Sequence, residues 1–202
     1  MNIDQDLTKC LVITNYRTGS TSFCDYNAEK NNLLNLYEVL HEDGEYHAVE
    51  NIENLLKYTD RFIAKVMPDQ FAYDFAKLQM LIQHCDQIVY LYRKDFTAQC
   101  LSWIAMQHLQ DWHVKPQSNI QHSINFYIDI DQAFADKHSK VIRDNNNFLK
   151  ECVKRYPAQV YAYEDIHDNK PYKRFYNWEY KPYIKPYNTE EMFYETTIQS
   201  VG

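Results

Sequence analysis

Short apolar runs alternate regularly with longer amphipathic segments, and this alternation constrains the fold more than any other feature of the chain. Four runs have the length and composition of buried strands: residues 10–14, 61–67, 87–92 and 159–163. The segments between them have the apolar spacing of helices. This order predicts one α/β domain, with a mainly parallel sheet, helices on both faces and right-handed crossovers.

The predicted helices follow from apolar residues that recur three or four positions apart. Six segments show this pattern: residues 20–28, 33–40, 51–57, 69–84, 96–109 and 131–156. Residues 112–127 are expected to be irregular. Ligands of such sheets bind at the carboxyl ends of the strands. The loops after the first and third predicted strands both contain an arginine, so two candidate anion sites fall on that edge.

Composition and charge narrow the classes of partner. The chain has 202 residues, of which 45% are hydrophobic, and this is enough for one sizeable core. Its formal net charge of -7 makes nucleic acid an unfavoured partner, since a phosphate backbone attracts a basic surface. Any anion site must therefore be local. The five cysteines are odd in number and form no CxxC pair, so neither a disulfide framework nor a zinc site is indicated.

The cytoplasm is the simplest location for such a chain. The first nine residues are polar and acidic and lack the hydrophobic core of a signal peptide. No apolar run approaches the roughly 20 residues that a membrane-spanning helix needs. We expect the cysteines to be reduced and mostly buried thiols.

The first motif, residues 15–22, joins a predicted strand to a predicted helix. Backbone N–H groups of such a loop turn inward, and the helix N-terminus adds partial positive charge. Gly19 is one of only three glycines and allows a phosphate to approach the backbone closely, while Arg17 supplies a planar donor fork. Hydroxyl donors follow at Ser20, Thr21 and Ser22. The alternative is an ordinary turn with a solvated arginine.

The second motif begins where the third predicted strand ends. Arg93 follows the strand directly, and Ser102 lies on the next predicted helix. An arginine at a strand end can bind a phosphate with two parallel hydrogen bonds, and a serine on the next helix can face the same point. Alternatively, Arg93 is a surface residue and Ser102 bonds to its own helix backbone.

Both motifs resemble those of the sulfotransferases that use 3'-phosphoadenosine 5'-phosphosulfate (PAPS). Arg-Thr-Gly-Ser-Thr at residues 17–21 is similar to their 5'-phosphosulfate loop. The arginine is typical of bacterial carbohydrate sulfotransferases of the trehalose and nodulation-factor type, where cytosolic enzymes have lysine. Arg93 and Ser102 fall where the family places its two 3'-phosphate contacts. Residues 161–166 resemble the family's structural Tyr-Glu-Asp-Leu strand end.

The resemblance covers about residues 9–166 and implies a P-loop-like form of the sheet. It implies transfer of a sulfuryl group from PAPS to a hydroxyl of a carbohydrate or small metabolite, without a metal. The residues expected to hold the 5'-phosphosulfate are Arg17, Thr18, Gly19, Ser20, Thr21 and Ser22. Arg17 would also stabilise the leaving phosphate.

A general base should take the proton of the acceptor hydroxyl. Glu38 is similar in position to the glutamate proposed as base in the bacterial enzymes; His41 or another group is the alternative. Glu38 is otherwise a solvated carboxylate on a helix face. Lys65 resembles a family lysine that could reach the sulfuryl group, and is otherwise a surface lysine on an edge strand.

The C-terminal residues 170–202 are expected to form an arm beside a catalytic domain of residues 1–169. Residues 170–187 contain five basic residues and seven aromatic ones. The arm packs on the domain by its rings, covers the nucleotide or acceptor as a flap, or binds single-stranded nucleic acid, which the acidic chain disfavours. Relatives close a basic loop over the nucleotide, for which Lys181 and Lys185 are the nearest candidates.

Two other functions are compatible with the sequence. One is a non-catalytic module that binds a nucleotide or phosphate in the same pockets. The other is a small nucleotide kinase, but the second glycine and the lysine of a nucleoside-triphosphate loop are absent from residues 15–22.

Overall fold

The computed structural model describes residues 8–41, 49–109, 125–156, 158–166, 175–178 and 181–189. The strands are β1 Lys9–Thr14, β2 Leu34–Glu38, β3 Phe62–Val66, β4 Gln87–Tyr92, β5 Asn125–Ile128, β6 Gln159–Ala162 and β7 Phe175–Trp178. The helices are α1 Ser20–Asn31, α2 Val49–Tyr58, α3 Phe75–Ile82, α4 Phe96–Leu109, α5 Gln132–Arg155 and α6 Tyr163–Ile166. A short 3-10 helix covers Pro68–Phe71.

Five strands form one all-parallel sheet in the order β2-β3-β1-β4-β6, while β5 and β7 pair in parallel elsewhere. The first strand of the chain thus lies at the centre, between β3 and β4. Five of the six residues of β1 are buried, and Lys9 is half-buried, as expected for a strand covered on both faces. The prediction of an α/β domain with a mainly parallel sheet is confirmed, and the strand order is consistent with a P-loop-like fold.

Alternate residues of β1 pack against different helices. Leu11 and Ile13 belong to a core cluster that includes residues of α2, α3 and α5. Cys10 and Val12 belong to a second cluster with Phe23 and other residues of α1. Helices therefore cover both faces of the sheet. The two clusters fix the positions of the strands, and so of the loops that follow them.

Residues 34–38 form strand β2, inside the segment 33–40 that was predicted to be a helix. A register shift against β3 lies between Asn35 and Tyr37, and Tyr37 has a φ of 50°. This bulge puts Leu33, Leu36 and Val39 in the core at intervals of three. Such spacing imitates a helical pattern, so the helix prediction was wrong, and pairing with β3 decides the conformation.

The predicted helix at residues 69–84 is interrupted in the middle. After the 3-10 helix, Ala72 and Tyr73 have φ values of 50° and 59°, in the left-handed region that helices do not use. Asp74 then caps α3 by accepting a hydrogen bond from the N–H of Ala76 at 2.9 Å. The apolar spacing continues through the break because Phe71 and α3 face the same core, which is why periodicity alone missed it.

The region predicted to be irregular ends earlier than expected, because residues 125–127 belong to β5. The remainder of that region, residues 112–124, is outside the described part of the chain. The predicted boundary at residue 169 also lies outside it, so the division into domain and arm stays a prediction.

Residues 181–189 of the predicted arm lie against α4 and α5. Ile184 is buried in a cluster formed mainly by these helices, and the ring centres of Tyr187 and Phe96 are 5.0 Å apart. Gln132 donates to the carbonyl of Tyr183 at 2.9 Å and accepts from its N–H at 3.0 Å. This segment therefore packs on the helices of the main sheet through both rings and backbone.

All five cysteines are free thiols, and four of them are buried. Burial raises the pKa of Cys24 and Cys152 to about 12, so both stay protonated at neutral pH. In the residues that the structure describes, no helix has both the length and the hydrophobicity needed to cross a bilayer.

Candidate functional site

The residues singled out in the sequence lie along the carboxyl edge of the parallel sheet. Glu38 ends β2, Lys65 lies near the end of β3, and Arg93 follows β4. The β1–α1 loop, residues 15–19, lies between the last two because β1 is the central strand. The topology therefore brings both sequence motifs and the candidate base to one edge, where ligands of such sheets bind.

The β1–α1 loop contains two residues in the left-handed region. Arg17 has a φ of 60°, and Gly19 has φ 72° and ψ 16°. Such turns point successive backbone N–H groups toward one side, a geometry that binds anions. Gly19 takes this conformation at no steric cost, whereas Arg17 is held in it by its surroundings.

Helix α1 begins directly after this loop with an uncapped N-terminus. Within the described residues, no side chain caps its first turn, and this turn contains no acidic residue. The first N–H groups of a helix have no acceptor within the helix and carry its positive dipole end. Ser20 is buried and Ser22 is exposed in this turn. The backbone N–H groups of residues 20–22 are among those without an acceptor in the helix, and such groups can bind an anion.

Two threonine hydroxyls hold the loop against the sheet. The hydroxyl of Thr14 donates to the carbonyl of Leu91 at 2.8 Å and lies 2.6 Å from that of Thr18. The Thr18 hydroxyl also donates to the carbonyl of Asn15 at 2.9 Å. Thr18 is completely buried, so its side chain stabilises the loop.

The two sequence motifs are in direct contact. Arg17 Nε donates to Ser102 Oγ at 2.9 Å, and Arg93 Nη1 donates to the carbonyl of Arg17 at 3.4 Å. These contacts join residues 85 and 76 positions apart in the sequence. The Ser102 side chain thus faces the loop instead of its own helix backbone, and Arg93 reaches the loop instead of solvent.

Arg93 is oriented by residues that follow β6. Its Nε lies 3.6 Å from a carboxylate oxygen of Glu164, and its guanidinium carbon lies 4.8 Å from the ring centre of Tyr163. Glu164 also accepts hydrogen bonds from the N–H groups of Lys94 and Asp95, at 2.9 and 3.2 Å. The resemblance had marked these residues only as a structural strand end; here they fix the direction of the guanidinium fork.

Lys65 and Glu38 form an ion pair on the other side of the loop. The Lys65 Nζ lies 2.9 Å from Glu38 Oε1 and donates to Thr21 Oγ1 at 2.7 Å. The Lys65 side chain is only 5% exposed, against 24% for Glu38. Because β3 is flanked by β1 and β2, Lys65 is not on an edge strand, and its burial needs both partners to offset the loss of hydration.

The second oxygen of Glu38 is also engaged. The side-chain amide of Gln70 donates to Glu38 Oε2 at 2.8 Å. The Oε1 of the same amide accepts from the N–H of Met67 at 3.1 Å. Glu38 is the last residue of strand β2, whereas the sequence had placed it on a helix. His41 is exposed just beyond β2, and its N–H donates to the carbonyl of Glu38 at 3.0 Å.

Asn15 was not singled out in the sequence, although its side chain makes four hydrogen bonds. Its Nδ2 donates to the carbonyl of Ile142 at 2.8 Å and to Asn146 Oδ1 at 2.7 Å. Its Oδ1 accepts from the N–H of Tyr16 at 2.7 Å and from Asn145 Nδ2 at 3.1 Å. The only signal was a short amide directly after a buried strand.

Tyr16 was not singled out either. Its ring stacks on Trp103 with centres 4.0 Å apart, its hydroxyl donates to Asp69, and its carbonyl accepts from Gln99 Nε2 at 2.6 Å. Burial, and then the hydrogen bond to Asp69, raise the pKa of the Tyr16 phenol well above its ordinary value. Tyr16 therefore stays protonated and cannot serve as a general base at neutral pH.

Lys181 and Lys185, the candidates for a basic loop over the nucleotide, are both exposed. The carbonyl of Lys185 accepts a hydrogen bond from Arg143 Nη2 at 3.0 Å, so the backbone of this residue lies beside α5. This contact holds the backbone of the segment in place. It does not test whether Lys181 or Lys185 closes over a nucleotide, so that expectation stays a prediction.

The site therefore gathers three cationic side chains, Arg17, Lys65 and Arg93, around an uncapped helix N-terminus. Such an arrangement can hold an anion that carries more than one phosphate or sulfate group. Among the described residues, no group of three or more histidine, cysteine or acidic side chains is placed to hold a metal ion. No protein-family model and no curated protein sequence matches this chain.

Proposed function

We propose that the protein is a sulfotransferase that moves a sulfuryl group from PAPS to a hydroxyl of a carbohydrate or small metabolite. The contact of both Arg93 and Ser102 with the Arg17 segment is the observation that carries this proposal. PAPS bears a phosphosulfate and a second phosphate on one ribose. A site for it needs two sets of cationic and hydroxyl groups close together, each at a strand end.

In this proposal, residues 17–22 bind the 5'-phosphosulfate, and Arg93 and Ser102 bind the 3'-phosphate. The uncapped N-terminus of α1 supports the first assignment, since its N–H groups favour an anion. The fixed guanidinium of Arg93 supports the second, because a fork held by Glu164 and Tyr163 loses little freedom on binding.

The transfer step breaks the bond between sulfur and the bridging oxygen of the 5'-phosphate and forms a bond between sulfur and the acceptor oxygen. Negative charge grows on the leaving phosphate, where Arg17 and Lys65 stabilise it. The proton of the acceptor hydroxyl passes to Glu38. Each oxygen of Glu38 accepts one contact in this structure, so the acceptor hydroxyl must reach a second lone pair of the carboxylate, unless Lys65 first turns from Glu38 to the phosphosulfate.

The same pairing of Glu38 favours the second candidate, a non-catalytic module that binds the nucleotide. If Lys65 keeps its ion pair when the nucleotide is bound, proton transfer to Glu38 would remove the charge that offsets the burial of the Lys65 ammonium. The two candidates therefore differ in turnover and agree in nucleotide binding.

Substitution of Arg93 tests the nucleotide site. Calorimetric titration with adenosine 3',5'-bisphosphate should give a low-micromolar affinity, and Arg93→Ala should weaken it about 100-fold, or about 3 kcal/mol. Arg61→Ala is the matched control, because Arg61 is exposed at the opposite end of β3 and binds the carbonyl of Asn31. Equal affinities of both variants, or tighter binding of ATP than of the bisphosphate, would contradict the proposal.

Glu38→Gln separates the enzyme from the module. The amide keeps the shape but can accept from only one of Lys65 and Gln70 and cannot take a proton, so turnover should fall about 100-fold. Bisphosphate affinity, which the proposal assigns to Arg93 and Ser102, should change less than about threefold. Transfer from labelled PAPS to a mixture of sugars measures turnover, with the exposed Glu29→Gln on α1 as control. Normal turnover in Glu38→Gln would remove this residue as the base.

A further inference from the structure

A chain of hydrogen bonds runs from the surface to the β1–α1 loop. The Tyr73 hydroxyl donates to Asn145 Oδ1 at 2.7 Å, Asn145 Nδ2 donates to Asn15 Oδ1 at 3.1 Å, and the Tyr16 N–H donates to the same oxygen at 2.7 Å. Asn15 and Asn145 are completely buried, whereas Tyr73 is 42% exposed. We call these three side chains the amide relay.

The direction of every bond in the amide relay is fixed by the backbone. The N–H of Tyr16 can only donate and the carbonyl of Ile142 can only accept, so Asn15 must present Oδ1 to the first and Nδ2 to the second. Asn145 must then present Nδ2 to Asn15, and its Oδ1 needs a donor. The Tyr73 hydroxyl is that donor.

Tyr73 belongs to a turn that contacts the site at two more points. In the β3–α3 turn, residues 67–74, Asp69 accepts from the hydroxyl of Tyr16 and Gln70 donates to Glu38. Tyr73 itself has a φ of 59°, a conformation that persists only where the surroundings fix it. The β3–α3 turn therefore contacts both the β1–α1 loop and the candidate base, Glu38.

We infer that Tyr73 and Asn145 are positioning residues, which hold the β1–α1 loop in its anion-binding conformation from the β3–α3 turn. Neither faces the ligand edge through its own polar group, since those groups bond to each other and to Asn15. They act on the loop through the N–H of Tyr16, the residue before Arg17. The inference rests on the proposed function only where nucleotide affinity is the readout.

Tyr73→Phe tests the inference by removing a single hydroxyl from a half-exposed ring. Tyr187→Phe is the matched control, because the Tyr187 hydroxyl donates to Asn147 Oδ1 on the same helix at 2.8 Å, away from the relay. We expect Tyr73→Phe to speed backbone hydrogen exchange of residues 15–22 about tenfold and to weaken bisphosphate binding about tenfold. Tyr187→Phe should change both less than about twofold.

The two readouts distinguish failure of the inference from failure of the proposed function. Unchanged exchange of residues 15–22 in Tyr73→Phe, or equal acceleration in both variants, would overturn the inference. Faster exchange confined to Tyr73→Phe would support it even if the wild-type protein bound no bisphosphate, and in that case the proposed function alone would fail.

Discussion

Replacing Lys65 with methionine is expected to lower turnover about 1000-fold while the free energy of unfolding falls by about 3 kcal/mol or less. In the proposed reaction, the Lys65 ammonium stabilises charge that appears only as the sulfuryl group leaves, so its loss acts on the transition state. Its side chain is 5% exposed, and burial of an ammonium is costly. Methionine fills nearly the same volume without that cost, but it leaves Glu38, which is 24% exposed, without its cation. A functional lysine lowers the turnover of the folded protein, whereas a purely structural lysine lowers stability alone.

The experiment compares release of adenosine 3',5'-bisphosphate from PAPS, in the presence of a sugar mixture, with the midpoint of thermal unfolding. Lys9→Met is the control, since Lys9 lies at the amino end of β1 and donates to the carbonyl of Leu56 at 3.3 Å. Retention of full turnover in Lys65→Met would exclude Lys65 from the chemistry. A large fall in unfolding temperature would mean that its ion pair with Glu38 holds the sheet edge together.

Replacing Asn15 with leucine should cost about 4 kcal/mol or more in free energy of unfolding. Asn15 is completely buried and makes four hydrogen bonds. Leucine would leave the N–H of Tyr16 and the amide groups of Asn145 and Asn146 without these partners in the interior. Each unpaired buried group costs about 1–3 kcal/mol, and the sum takes up much of a domain's usual stability of about 5–15 kcal/mol.

Urea unfolding measures this loss, with Asn147→Leu as the control on α5. Asn147 is exposed and accepts one hydrogen bond, so its replacement should change the free energy of unfolding by less than about 1 kcal/mol. A loss below about 1 kcal/mol in Asn15→Leu would show that water replaces the lost partners and that the asparagine cluster does not hold the loop.

The main sheet could be predicted because its central strands are apolar on both faces. A run such as residues 10–14 has no solvent-facing side, so the sequence itself marks the strand. β2 was missed since a bulge at Tyr37 gives it the apolar spacing of a helix. The break before α3 was missed for a related reason: Ala72 and Tyr73 adopt left-handed backbone without glycine, and contacts distant in sequence fix that conformation.

In the candidate site, the sequence could indicate those residues whose type and position beside a predicted strand suggest anion binding. Arg17, Gly19 and Arg93 stand at strand ends where an anion site is expected, and the structure places them on one edge. The residues that fix the neighbouring loop segments are distant in sequence: Glu164 is 70 residues from Lys94, and Asn146 is 131 residues from Asn15. An asparagine inside an amphipathic helix gives no sign of such a partner until the crossovers are known.

The central position of β1 in the sheet has a consequence for folding during synthesis. β1 is translated first, but the strands on either side of it end only at residues 66 and 92, and the asparagines that lock its loop come at 145 and 146. At usual elongation rates, the ribosome needs on the order of 10 s to reach them. During that time the apolar central strand lacks its neighbours and is open to self-association. Premature termination before residue 146 would release a chain that contains the central strand but lacks the asparagines that fix the β1–α1 loop.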